Sequence, residues 1–430
     1  MTATLIAFAI LFAILFYGVP LAFALGLVGL VGFSMLMGGH AAAAMSAQIA
    51  WDTLTSYSLS VLPLFILMGN LVNHSGLSRN LYDASNAFIG HRRGGLAMAT
   101  ILASGGFAAV CGSSIATAAT ISTVALPSMR RYGYSPALST GSIAAGGTLG
   151  ILIPPSVIMI IYGSMTETSI GHLFVAGIVP GILAVLLYVA AVSATTALDP
   201  AAGPAGPRMA WADRFRALRD VWMVLALFII VIGGIYLGVF TPTEAAGIGA
   251  TGAFVAALLR RSLTFGEFIR ILFDSARTSA ALMAVLVGAL IFSNFVNITG
   301  APEAVVEALK ALNFPPLGVM VLILIFYLFL GCVFDALAMI LLTVPIFFPL
   351  VMALGYDPVW FGIIVVVVVE LGLITPPIGM NLFVIQSVAR DIPMTTIYRG
   401  ILPFIMVDIV RLAILVLFPW IVLFLPRQMG

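Results

Sequence analysis

Charge is what this chain has least of. Asp, Glu, Lys and Arg make up 8% of its 430 residues, where a soluble domain carries about 25%. That shortage excludes water as the solvent for most of the surface. With 62% of the residues hydrophobic, the chain reads as a multi-pass protein of a lipid bilayer. A formal net charge of +2 offers no basic excess for nucleic acid, so no nucleic-acid partner is expected. Cysteine is nearly absent. Cys111 and Cys332 are too few for a disulfide framework and read as small packing residues in apolar runs. His40, His74, His91 and His172 form no metal-spaced cluster. Ser113 and Ser114 have no His or Lys close in sequence to activate them. Neither an enzyme nor an organic cofactor is expected. The first apolar run, 5–17, lacks the basic leader of a signal peptide and precedes further apolar segments, so it reads as a retained helix.

What is present is a pattern that occurs twice. Spanning a bilayer takes about 20 apolar residues, and such runs recur along the whole chain. Leu149-Gly150-Ile151-Leu152-Ile153-Pro154-Pro155 returns as Leu371-Gly372-Leu373-Ile374-Thr375-Pro376-Pro377, and from Pro154 to Pro376 the offset is 222 residues. The same offset relates Gly133-Tyr134-Ser135-Pro136 to Gly355-Tyr356-Asp357-Pro358 and Pro127 to Pro349, while an offset of 224 pairs Asn70, Asn73 and Gly76 with Asn294, Asn297 and Gly300. Two copies follow, 1–198 and 221–430, joined by the polar, Pro-, Gly- and Arg-rich stretch 199–220 as a cytoplasmic linker.

Positive charge is missing from each copy where the other has it. Arg79, Arg92, Arg93, Arg130 and Arg131 correspond to uncharged or acidic positions that include Glu303, Pro315, Met352 and Ala353. Arg260, Arg261, Arg270 and Arg277 correspond to Gly38, Gly39, Gln48 and Thr55. Because Lys and Arg mark cytoplasmic loops, equivalent loops lie on opposite sides. The expected fold class is therefore an all-α integral membrane protein of two inverted repeats. Five crossings are expected in each, near 4–17, 20–37, 58–74, 136–166 and 172–198, then near 222–239, 242–259, 278–297, 358–389 and 400–425. Each repeat also keeps one re-entrant hairpin. The first, 94–129, is bounded by Arg92-Arg93 and Arg130-Arg131 and centred on Gly112-Ser113-Ser114. The second, 317–352, is centred on Gly331-Cys332-Val333-Phe334-Asp335.

The fourth crossing of each copy, 136–166 and 358–389, should be broken. Pro154-Pro155 and Pro376-Pro377 remove backbone donors among Gly146, Gly147, Gly150, Gly372 and Gly379. Non-helical backbone at membrane depth must line a cavity or be buried in protein. Paired interruptions of this kind point to a transporter's binding site, where freed carbonyls suit a cation and half-helix N-termini suit an anionic group. Thr148, Pro155, Glu370, Pro377 and Asn381 are the substrate candidates, with the Thr375 hydroxyl suited to sodium or a polar ligand. Asp335 and Glu370 have no basic residue near them in sequence. Buried acids are costly, so a bound cation or a proton is expected to supply the missing charge. Thr241-Pro242-Thr243-Glu244 reads as a capped helix start, Asp408 and Arg411 are spaced to pair, and Trp420 and Phe424 suit an interfacial belt.

These stretches resemble the large membrane subunit of the tripartite ATP-independent periplasmic (TRAP) transporters, the DctM-like type. The resemblance is carried in order by Gly112-Ser113-Ser114 with Ala116, 145–156, Thr241-Pro242-Thr243-Glu244-Ala245-Ala246, Leu342-Thr343-Val344-Pro345-Ile346-Phe347 and 370–381. The chain departs from the family pattern at Thr117, where many members carry an acid. The resemblance implies an elevator-type transporter of a bacterial inner membrane that imports an organic acid such as a C4-dicarboxylate by sodium symport. It also implies a small four-helix membrane subunit, expected as a separate chain, and a periplasmic substrate-binding protein. Carried over residue by residue, one sodium site would fall on Ser113, Ser114, Gly150 and Pro154. The other would fall on Asp335, Gly372, Thr375 and Gly379. The rival readings are a stand-alone sodium–anion symporter, an intramembrane enzyme and a passive channel.

Overall fold

The computed structural model describes residues 2–311 and 315–429; positions 1, 312–314 and 430, which fall within the two expected copies, lie outside the described residues. The first half runs α1 (Thr2–Phe16), α2 (Leu21–Met37), α3 (Gly39–Thr55), α4 (Val61–His74), α5 (Leu77–Ile89), α6 (Gly95–Cys111), α7 (Ser114–Arg131), α8 (Pro136–Leu152), α9 (Val157–Thr166) and α10 (Ile170–Leu198). The second runs α11 (Trp211–Tyr236), α12 (Pro242–Leu259), α13 (Phe265–Ile298), α14 (Ala301–Ala311), α15 (Pro316–Gly331), α16 (Ala336–Ala353), α17 (Pro358–Ile374), α18 (Met380–Val388), α19 (Met394–Leu417) and α20 (Trp420–Leu423).

Local chemistry sets many of the starts. The Thr241 side chain caps α12 while Glu244 Oε2 accepts from the Thr241 N–H at 2.8 Å. Thr264 and Glu267 do the same for α13, so two orphan donors are satisfied at each start. Ser135 caps α8 and Asp357 caps α17, each followed by a proline in the first turn.

Several helices depart from the sequence reading. α3 is additional; it is rich in alanine, a strong helix former that gives little apolar signal. It meets the following helix at a 58° bend, where Ser56 adopts an extended conformation. α13 instead runs unbroken for 34 residues. α5 is additional too, an amphipathic helix that buries Leu77, Leu81, Tyr82 and Ala84. The stretch read as a linker is helical from Trp211 onward. Against the ten crossings expected, seven helices among the described residues are long and apolar enough to cross a membrane, or eight with the bent pair. α1, α2, α6, α15 and α17 are shorter apolar helices.

The helices sort into two packed groups. In one, α2 and α3 lie against α13, and α4 packs on α12 and α13. In the other, α8 is surrounded by α6, α7, α10, α17 and α19. Every residue from Leu138 to Leu152 on α8 is buried, as is every residue from Val359 to Ile374 on α17. α8 and α19 cross so closely that a Cβ on Gly141 would stand 2.1 Å from the Gly400 carbonyl oxygen. Glycine permits that approach, and any side chain there would force the helices apart.

Candidate functional site

The broken helices lie where the double prolines place them. α8 ends at Leu152 and α9 resumes at Val157; α17 ends at Ile374 and α18 resumes at Met380. Proline has no N–H to return to the carbonyl four residues earlier. Pro154 therefore gives nothing to Gly150, nor Pro376 to Gly372. Other groups take part of the load. The Ser156 hydroxyl donates to the Ile151 carbonyl at 2.6 Å, and the Thr375 N–H donates to Gly372 O at 3.1 Å.

A helical hairpin abuts each break. α6 and α7 turn through Gly112, at φ +66, a left-handed conformation that glycine adopts without strain. A Cβ on Gly112 would fall 2.9 Å from the Pro155 carbonyl, and one on Gly150 would fall 2.5 Å from the Ser113 carbonyl. In the second half, a Cβ on Gly331 of α15 would lie 2.6 Å from the Gly372 Cα. The Cys332 thiol donates to the Pro376 carbonyl at 3.5 Å. The two tips carry equivalent caps. Ser113 accepts from Ala116 N–H at 3.4 Å to start α7, and Asp335 accepts from Ala338 N–H at 3.1 Å to start α16.

One cavity of about 340 Å³ joins these parts. Ser113 and Ser114 line it from the first hairpin tip and Asp335 from the second, with Gly69, Asn70 and Asn73 of α4 and Thr278 of α13. Asn381, from the second break, donates to Ser114 Oγ at 2.7 Å and leaves its own Oδ1 buried without a hydrogen-bond partner among the described residues. Thus the second break touches the first hairpin directly.

The remaining expected residues lie around this cavity rather than on it. Gly150, Pro154 and Pro155 are buried behind the first tip. Gly372 is buried, Gly379 immediately precedes α18, and the Thr375 hydroxyl is back-bonded to the Leu371 carbonyl. Pro377 is exposed, and its carbonyl accepts from the Tyr398 hydroxyl.

Glu370 and Thr148 both find protein partners within the helix packing. Glu370 was expected to need a bound cation or proton, yet Arg411, far away in sequence, meets it. Arg411 Nη2 reaches Glu370 Oε2 at 2.7 Å and lies 3.0 Å from Asp408 Oδ1, all three side chains being essentially inaccessible to solvent. The Tyr188 hydroxyl donates to Asp408 Oδ2 at 2.7 Å and stands 3.1 Å from Thr148 Oγ1. Two carboxylates therefore face one guanidinium in a network that ties α8, α10, α17 and α19 together. The expected Asp408–Arg411 pair is present.

The sequence reading did not single out Asn70 and Asn73 as site residues. Their signal was available, since two asparagines in an apolar helix are costly unless they serve a site. Asn70 donates to Ser275 Oγ at 2.8 Å, and Asn73 accepts from Thr120 at 3.3 Å.

The model of the tripartite ATP-independent periplasmic transporter DctM component matches residues 8–421. The chain is 39% identical over 381 residues to the C4-dicarboxylate TRAP transporter large permease protein DctM of Pseudomonas aeruginosa, covering 88% of each. It is 33% identical over 415 residues to the sialic acid TRAP transporter large permease protein SiaM of Vibrio cholerae, covering 96% of each. A crystal structure of the Alcanivorax borkumensis YdaH transporter shares its fold at a TM-score of 0.64 and 16% identity, covering 87% of this chain and 88% of that one.

Proposed function

The chain belongs to the DctM component family of tripartite ATP-independent periplasmic transporters, and from that premise we propose that it imports an organic acid by sodium symport with an elevator motion. Membership makes it a transporter component and not an enzyme. The substrate class follows the carboxylate-bearing molecules in the names of similar permeases, a C4-dicarboxylate and sialic acid. A small four-helix membrane subunit and a periplasmic binding protein complete the system in a bacterial inner membrane.

The observation that carries this reading is the single cavity that both hairpin tips share with α4 and α13. It lies where the two packed groups meet. The moving block is α6–α10 with α15–α20, held together by the Asn381–Ser114 bond and the Arg411 network. The scaffold is α1–α5 with α11–α14, and the two halves are inverted copies. Asp335 supplies a negative charge for a cation, while the hydroxyls at Ser113 and Ser114 add neutral oxygens. The first break is buried and the second is more open, Pro377 being exposed, which suits a site reached from one side at a time.

The test is the sodium dependence of uptake. Asp335→Asn should raise the sodium concentration for half-maximal uptake about tenfold, the worth of one charged interaction, while the protein stays monodisperse. An unchanged sodium dependence would remove Asp335 from the cation site.

A further inference from the structure

A second polar site lies away from the cavity, at the junction of α5, α6 and α11. Arg214, in the first turn of α11, is only 5% exposed. Its guanidinium carbon lies 4.8 Å from the centre of the Trp211 ring and 6.0 Å from that of Phe88. Nε and Nη2 are buried without a hydrogen-bond partner among the described residues, and so is Nδ1 of His91. The adjacent acid, Asp213, is turned to Arg216 at 3.1 Å instead. Burial, then the charges of Arg214, Arg208 and Arg92, hold the His91 imidazole below its ordinary pKa; Arg92 follows His91 in the same turn, and the hydrogen bond from Gly206 N–H to Gly90 O brings the segment that carries Arg208 to it. A buried guanidinium with unused donors is costly unless an anion meets it.

The surroundings say which anion. From this cluster a stripe of apolar side chains runs along the outer face of α11: Trp211, Phe215, Leu218, Trp222, Leu225 and Ile229, each between 41% and 66% exposed. Their spacing of three and four residues is that of one helical face. Exposed tryptophans beside arginines mark a membrane–water boundary. The chain between the halves is also anchored here, since Gly206 N–H donates to Gly90 O at 3.0 Å and Gly94 N–H donates to Gly203 O at 2.8 Å.

We propose that Arg214, with Arg208, Arg92 and His91, binds the phosphate of an anionic membrane lipid whose acyl chains lie along the exposed face of α11. Phosphate is the chemistry recognised, and the apolar stripe selects the lipid over the free ion. The bound headgroup would fasten the C-terminal end of α5 to the start of α11, both in the scaffold, and so fix the segment that connects the halves.

The test uses the full chain, purified in detergent and delipidated, with dioleoyl phosphatidylglycerol, dioleoyl phosphatidylcholine or inorganic phosphate added. Native mass spectrometry reads retained lipid, and thermal melting reads stabilisation. Wild-type protein should retain phosphatidylglycerol over phosphatidylcholine. Arg214→Gln should weaken that retention about tenfold. Arg208→Gln, at an exposed position that leaves packing intact, should weaken it about fivefold. Arg277→Gln, an exposed arginine of α13, should leave it unchanged. If Arg214→Gln fails to fold, Arg208→Gln decides. Equal retention by wild type and Arg208→Gln, or no preference for phosphatidylglycerol, would overturn the proposal. Stabilisation by inorganic phosphate equal to that by phosphatidylglycerol would overturn the lipid assignment and leave a free-anion site.

Discussion

Two buried carboxyl groups, those of Glu370 and Asp408, share the one guanidinium of Arg411. Removing one partner of a buried ion pair strands the others, at a cost of about 3–5 kcal/mol. Arg411→Met should therefore lower the melting temperature sharply. Adding Glu370→Gln and Asp408→Asn should recover most of the loss, because the stranded charges are gone. A single variant that melts like wild type would mean that the triad does not hold α17 to α19. Half of this cluster was legible in the sequence. Asp408 and Arg411 lie three apart on a helical pattern, so their pairing follows from spacing. Glu370 lies 41 residues from Arg411, and no local pattern links residues on two helices that meet only through packing. For the same reason the sequence did not link Thr148 to Tyr188, whose hydroxyl stands beside it while Thr148 donates to the Ala145 carbonyl.

At the scale of elements, the breaks and hairpins were legible because proline and glycine act locally. Double prolines end α8 and α17 whatever surrounds them, and a positive φ at Gly112 needs glycine wherever the turn points. Which hairpin meets which break is written in close approaches instead. Gly150→Ala would put a Cβ 2.7 Å from Thr117 Oγ1 as well as against the Ser113 carbonyl. Overpacking of this kind costs about 1–3 kcal/mol, so this variant should fold with reduced stability and lose most of its uptake. Wild-type uptake by it would separate the first hairpin tip from transport. α3 and α5 were missed for complementary reasons: one is alanine-rich, the other amphipathic and too polar to read as a crossing. A surface bridge gives the acid-side test. Arg130 of α7 donates to Asp391, in the turn before α19, at 2.7 Å and holds its carboxyl below the usual value. The stabilisation is present above the ordinary Asp value of about 3.9 and is lost as pH falls through the lower folded value. The melting temperatures of wild type and Asp391→Asn should differ at neutral pH and converge in acid. A difference that persists below both values would assign the stabilisation to something other than this bridge.

At the scale of the molecule, double prolines, Gly-Tyr pairs and asparagines recur at nearly constant offsets, and these recurrences with the charge asymmetry are the grounds for proposing two inverted copies. The site was only partly legible. A repeat says that two tips exist, not that both open onto one cavity with Asn70 and Asn73 between them. The substrate is not written in this cavity alone, since a polar lining of serines, asparagines and one acid suits many small organic ions. The central claim is that this cavity serves a sodium-driven, binding-protein-dependent permease. The most direct measurement is uptake of labelled organic acids into proteoliposomes that hold this chain and its small membrane partner, with and without a sodium gradient and with and without the periplasmic binding protein. Uptake that requires both the gradient and the binding protein is the predicted result. Uptake that proceeds without the binding protein would contradict it and assign the chain to the stand-alone symporters.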